Sequence, residues 1–197
     1  MQRGLFVVIE GGDGLGKTTL VNNLKNVFKD AVFTFEPGGT VFGQKVRELL
    51  MTSENISKVT EMYLFASSRS EFVKDVVAPN ISSGKMVVSD RFVYSSMVYQ
   101  GVLGGIGIEK VLEVNESALN GFLPDIVICL CGAKSFRNDA VNRFDVQTDE
   151  QTKQINEGFC KLSQMYNNFK LIDVTNLTET EVFEIALNSI KEKLNQI

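Results

Sequence analysis

Five short runs of uninterrupted apolar residues punctuate the chain: "LFVVI" (5–9), "AVFTF" (31–35), "MVVS" (86–89), "DIVICL" (125–130) and "FKLIDV" (169–174). Strands with one wet face alternate apolar and polar residues. Continuous runs of this length instead suit parallel strands covered on both faces. Between them lie stretches of helical character. "TETEVFEIALNSIKEKL" opens with a capping box from Thr178 to Glu181 and repeats apolar residues at Val182, Ala186, Ile190 and Leu194. Strand and helix in alternation predict an α/β fold, three layers deep, around a five-stranded parallel sheet. Neither a repeat nor a linker divides the 197 residues, so one domain is expected over 1–197. Residues 133–153, "AKSFRNDAVNRFDVQTDEQTK", are the most polar and least periodic region. They are expected to form either a short lid or a plain solvated loop.

Composition narrows the chemistry more than the fold. The chain contains no histidine, which removes Ser-His-Asp catalysis, histidine bases and histidine zinc sites. A formal charge of −4 argues against a protein that coats nucleic acid, so an anionic ligand must be met by a few local cations and backbone amides. Cys129, Cys131 and Cys160 are odd in number and read as buried thiols of a reducing compartment. With no apolar run near ~18 residues and no signal-peptide layout, no membrane partner and a cytoplasmic location are expected.

Directly after the first predicted strand comes "EGGDGLGKTTL". Gly11-x-x-x-x-Gly16-Lys17-Thr18 is the pattern of a loop that wraps phosphates above a helix N-terminus. Its residues Gly11, Gly12, Asp13, Gly14, Leu15, Gly16, Lys17 and Thr18 are therefore candidates for gripping a nucleotide's phosphates. Lys17 supplies a mobile cation to the β- and γ-phosphates, and the Thr18 hydroxyl suits Mg²⁺. Neither an N-K-x-D guanine reader nor a D-x-x-G after a strand is present, which disfavours a GTPase. A compact kinase of small phosphorylated acceptors fits the length.

Candidates for the acceptor side follow in chain order. "FEPGGT" places Glu36 where the second strand ends, on the rim where open α/β sheets bind ligands. Arg47 is the only arginine of the helix after it, and an ordinary exposed helical arginine is an equally open reading. Phe65 and Arg69, four residues apart, share one helix face, so a flat heterocycle could stack on one and be hydrogen-bonded by the other; a core phenylalanine beside a surface arginine is the plainer alternative. "MVVSDRFVYSSMVYQG" ends a strand in Asp90, the expected position of a carboxylate near Mg²⁺, with Arg91 adjoining. Ser96 and Gln100, again four apart, offer the donors and acceptors that a base edge needs.

Taken together, "GGDGLGKT", "EPGGT", "LFASSR", "SDRFVYSSMVYQG", "PDIVICL" and "NRFD" resemble thymidylate kinases of the bacterial type over nearly the whole chain. The resemblance implies a P-loop NTPase fold, transfer of the γ-phosphoryl of ATP to dTMP with Mg²⁺, and a homodimer. It implies that Phe65 stacks on thymine while Arg69, Ser96 and Gln100 address its polar edge, with Tyr99 beside them in the same motif. Arg47 and Arg91 would hold the acceptor phosphate, and Asp13 and Glu36 would lie near the deoxyribose and the metal-phosphate region. Arg143 of "NRFD" would serve catalysis, and Arg137 the adenine side. Phe35 stands where family members often carry an arginine, Gly14 where one class carries a phosphate-loop arginine, and Cys131 where an aspartate is usual. A kinase of another nucleoside monophosphate, or a nucleotide-binding regulator without catalysis, remains the alternative at this stage.

Overall fold

Strand β1 (Phe6–Gly11) is buried along its whole length and runs down the middle of a five-stranded sheet. A computed structural model describes residues 3–133 and 148–196. The remaining strands are β2 (Val32–Phe35), β3 (Val87–Asp90), β4 (Ile126–Cys131) and β5 (Phe169–Asp173), each within two residues of the expected apolar run. All pair in parallel, in the order β2-β3-β1-β4-β5, with Val8 opposite Ser89 on one side and Val127 on the other.

Alternation within β1 divides the core in two. Phe6 and Val8 face a cluster containing Phe72, Phe92, Met97 and Phe159, whereas Leu5, Val7 and Ile9 face one containing Leu20, Leu24, Ala186 and Ile190. Helices α1 (Lys17–Val27) and α8 (Glu179–Leu194) close the second face. Helices α2 (Val41–Thr52), α3 (Lys58–Phe72), α4 (Ala78–Ser82), α5 (Val93–Ser96), α6 (Ile108–Leu119) and α7 (Asp149–Met165) complete the described helical structure. This is the expected three-layer α/β/α architecture.

Local chemistry accounts for the ends. Thr178 caps α8 through the expected capping box with Glu181, and Val182, Ala186 and Ile190 are buried below it. Leu194, the fourth residue of that stripe and the last of the helix, is exposed. Thr148 and Gln151 build a second capping box that starts α7. Residues 149–153, read from sequence as part of a polar insertion, are therefore the first turns of a helix; residues 134–147 of that segment lie outside the described residues. Two helices contain a wider turn, Val73–Val77 after α3 and Met97–Leu103 after α5. Such π-turns often occur at functional sites. Cys129 and Cys131 are buried, Cys160 is half-buried, and all three are free thiols. Among the described residues no helix is long and apolar enough to cross a membrane.

Candidate nucleotide site

The carboxyl ends of β1, β2 and β3 open into one cleft of about 510 Å³. It collects Asp13, Gly14, Gly16, Lys17 and Thr18 from the phosphate loop and Glu36 and Arg47 from the β2–α2 region. Phe65 and Arg69 of α3 line it too, as do Asp90, Arg91, Ser96, Tyr99 and Gln100 from β3 onward. Four cations and three carboxylates line the cleft, which makes it net positive in a chain of formal charge −4. Arg137 and Arg143 lie outside the described residues.

The loop itself is shaped by two close approaches. Gly11 has φ of 137°, and a Cβ there would sit 2.3 Å from the Leu130 carbonyl oxygen. Lys17 is buried and donates from Nζ to the carbonyls of Gly11 at 3.0 Å and Gly12 at 2.6 Å. Gly11 and Gly12 thus act through their backbone. The Leu15 side chain faces away from the cleft and is buried among Leu20 and Val21, as an apolar residue beneath a polar loop must be. Burial, and then the nearby Arg91 charge, bring the Lys17 ammonium down to about 8.

Arg91 sits at φ 72°, a left-handed conformation unusual for a side chain other than glycine. Its neighbours hold it there. Arg91 N donates to the Ile9 carbonyl, Ser89 Oγ donates to the Arg91 carbonyl, and Phe92 N donates to the Glu10 carboxylate. So oriented, the guanidinium reaches Asp13 at 2.6 Å and Ser95 Oγ at 2.9 Å, and lies over the Tyr99 ring. Asp13 also accepts from the Tyr99 hydroxyl and stands 4.0 Å from Lys17.

Arg69 is buried to 1% exposure, which excludes the surface arginine that its spacing alone allowed. It pairs with Glu36 at 2.5 Å, and donates to Asn115 Oδ1 and to Ser96 Oγ. Burial pushes Glu36 up to about 7 despite the opposing pull of Arg69. Arg47 donates to the Pro37 carbonyl and stands over the Phe35 ring, 5.7 Å from its centroid. The aromatic residue found where an arginine is usual therefore supports the next cation along rather than leaving a gap. Ser96 and Gln100 both line the cleft as expected, although a π-turn, not a regular α-helix, carries Gln100 there.

Three polar residues were not legible as site residues in the sequence: Glu10, Glu61 and Asn115, each 0% exposed. Glu10 accepts from Phe92 N, Ser95 N and Ser95 Oγ, and burial raises its pKa. The one available signal was an acid closing the apolar run "LFVVIE". Asn115 had none, since its partner Arg69 is 46 residues away.

Oxygen donors for a divalent cation are also present. Asp90 Oδ1 is buried without a hydrogen-bond partner, an arrangement costly for a carboxylate unless a cation or water meets it. The Thr18 side chain lines the same cleft. Among the described residues no three His, Cys, Asp or Glu side chains form a closed cage, so these two donors suit a cation that keeps most of its coordination for phosphate and water.

Comparison with known proteins agrees with this geometry. A sequence model of the family described as thymidylate kinase matches residues 9–185. The thymidylate kinase of Caldanaerobacter subterraneus subsp. tengcongensis is 42% identical over 182 residues, 87% of this chain and 88% of its own length. That of Clostridium novyi is 34% identical over 206 aligned positions, 97% of this chain and 100% of its own. Among solved structures, the thymidylate kinase of Ehrlichia chaffeensis superposes with a TM-score of 0.77 at 25% identity, covering 95% of this chain and 99% of its own. With a family model matching residues 9–185 and relatives matching along almost its whole length, this chain belongs to the thymidylate kinase family.

Proposed function

We propose that the chain transfers the γ-phosphoryl of ATP to the phosphate of dTMP, giving dTDP and ADP. The observation that carries this reading is the continuity of the cleft. Lys17 of the phosphate loop and Arg91 of the acceptor side converge on the single carboxylate of Asp13, at 4.0 Å and 2.6 Å. Two phosphorylated ligands bound in these halves meet end to end.

The residue inventory suits that reaction. The nucleophile is an oxygen of a phosphate already largely dianionic at neutral pH, its second pKa being about 6, so no base is required and the missing histidine costs nothing. What the protein must supply is alignment and charge neutralisation. Lys17 neutralises the β- and γ-phosphates and Arg91 the acceptor phosphate, while Arg47, held on the Phe35 ring, binds the latter from the other side. Phe65 stacks on the base; Arg69, Ser96 and Gln100 line its polar edge, and Tyr99 closes the slot beside Arg91. Glu36 orients Arg69, and Arg137 and Arg143 act from the segment after β4, as the family resemblance implies. Thr18 and Asp90 would hold Mg²⁺, which when bound adds positive charge beside the transferring group.

Turnover on a panel of dTMP, dUMP, dCMP, dGMP and AMP, followed by ADP release, tests the reading. dTMP is expected to be the fastest acceptor; fastest turnover on dCMP would overturn it, and binding of ATP without any turnover would leave a regulator instead.

The active form is proposed to be a homodimer formed through α2 and α3. These packed helices expose Val41, Phe42 and Leu49, and Val59 and Tyr63, respectively, with Val41 at 75%. Sedimentation equilibrium should return twice the 21.9 kDa chain mass, and a monomer at micromolar concentration would reject the pairing.

A further inference from the structure

Glu61 is a fully buried carboxylate on α3 that touches the wall of the base slot without being part of it. Its partners include Lys58 at 3.0 Å, half-exposed at the helix start, and Gln100, whose Nε2 donates to Glu61 Oε2 at 3.4 Å. Gln100 is 2% exposed and lines the cleft. A carboxylate only accepts, so an amide beside it has one favourable orientation, with its NH₂ end toward the acid. The reversed amide would set two oxygens against each other in a buried place. Gln100 therefore offers its oxygen to a bound base.

We infer that Glu61 is a specificity-determining positioning residue that sets Gln100 as an acceptor and so selects pyrimidines carrying a proton on N3. The inference rests on the kinase reading above. In thymine and uracil N3–H is a donor and meets the Gln100 oxygen. In cytosine N3 is a bare acceptor, and two acceptors face each other where water is excluded. A buried hydrogen bond left unmade corresponds to a discrimination of about tenfold to a hundredfold. Arg69, which only donates, contributes separately by favouring a carbonyl over an amino group at the base's polar edge.

Glu61→Gln replaces the acceptor by an amide that donates or accepts equally well, which frees Gln100 to turn. The ratio of kcat/KM for dTMP to that for dCMP should fall by at least about tenfold, and the change should appear in KM rather than kcat. In a Gln100→Ala background the same substitution should leave the ratio unmoved, because the residue through which it acts is gone. Glu61→Asp, which keeps the charge but withdraws it by one methylene, should lower the ratio in the same direction and serves if Glu61→Gln folds poorly. An unchanged ratio in a folded variant overturns the inference, as does an equal effect with Gln100 removed. Failure of the wild-type chain to phosphorylate dTMP would instead overturn the kinase reading, and this inference with it.

Discussion

Lys17→Ala is expected to lower kcat for dTMP phosphorylation by at least ~100-fold, about 2.7 kcal/mol of transition-state stabilisation. Negative charge accumulates between two phosphates as the phosphoryl group moves, and Lys17 stands at the head of α1 beside Gly14 and Gly16 in the cleft proposed to hold them. Its worth is increased by burial, since a low-dielectric setting weakens screening by water. The same burial leaves a signature that a structural role would not. With its pKa held near 8, Lys17 is about half protonated at pH 8. Bound phosphates favour the charged form, so ATP binding at pH 8 should take up roughly half a proton. Below pH 7 the uptake by this group should vanish, because the lysine is already charged. Calorimetry of ATP binding in buffers of different ionisation enthalpy measures this directly, and Lys17→Ala should abolish it. A near-normal kcat would remove Lys17 from the reaction.

Arg91→Ala should also cost at least ~100-fold in kcat, for a different reason. The left-handed backbone at Arg91 is imposed by hydrogen bonds made by Ile9, Ser89 and Glu10, none of which depends on the arginine side chain. Alanine in that position bears a comparable backbone strain, so the melting temperature should fall little while activity collapses. The loss should be largest in kcat if, as proposed above, Arg91 meets charge that develops as the acceptor approaches. Arg91→Lys is not expected to restore the rate. A lysine lacks the planar fork that contacts Asp13, Ser95 Oγ and the Tyr99 face at once. A rate within threefold of wild type in Arg91→Ala would show that the acceptor phosphate is held elsewhere.

Elements with strong local determinants were legible before any coordinates. β1 and the phosphate loop follow from an uninterrupted apolar run meeting glycines at set spacing, and α8 follows from its capping box and apolar stripe. The start of α7 was missed although its signal, Thr148 with Gln151, has the same form; a polar helix with few apolar positions reads as a loop when periodicity is the guide. Phe65 and Arg69 could be placed on one helix face from spacing. Their setting could not, and a surface arginine was the plainer expectation until Glu36, Ser96 and Asn115 were seen around it.

Sequence by itself determined the strands, the phosphate-binding loop and the identities of the cations, because each depends on residues within a few positions of one another. Tertiary structure alone decided which charges are neutralised and which remain for a ligand. Arg69 is paired with Glu36 while still lining the cleft, Arg91 is shared with Asp13, and Glu61 and Glu10 are buried as internal braces. Apart from the Glu61 pair with Lys58, three residues away, those pairings join residues 33 to 85 positions apart. Their strength comes from burial, which exists only once the sheet has brought its carboxyl ends together and excluded water from the groups between them.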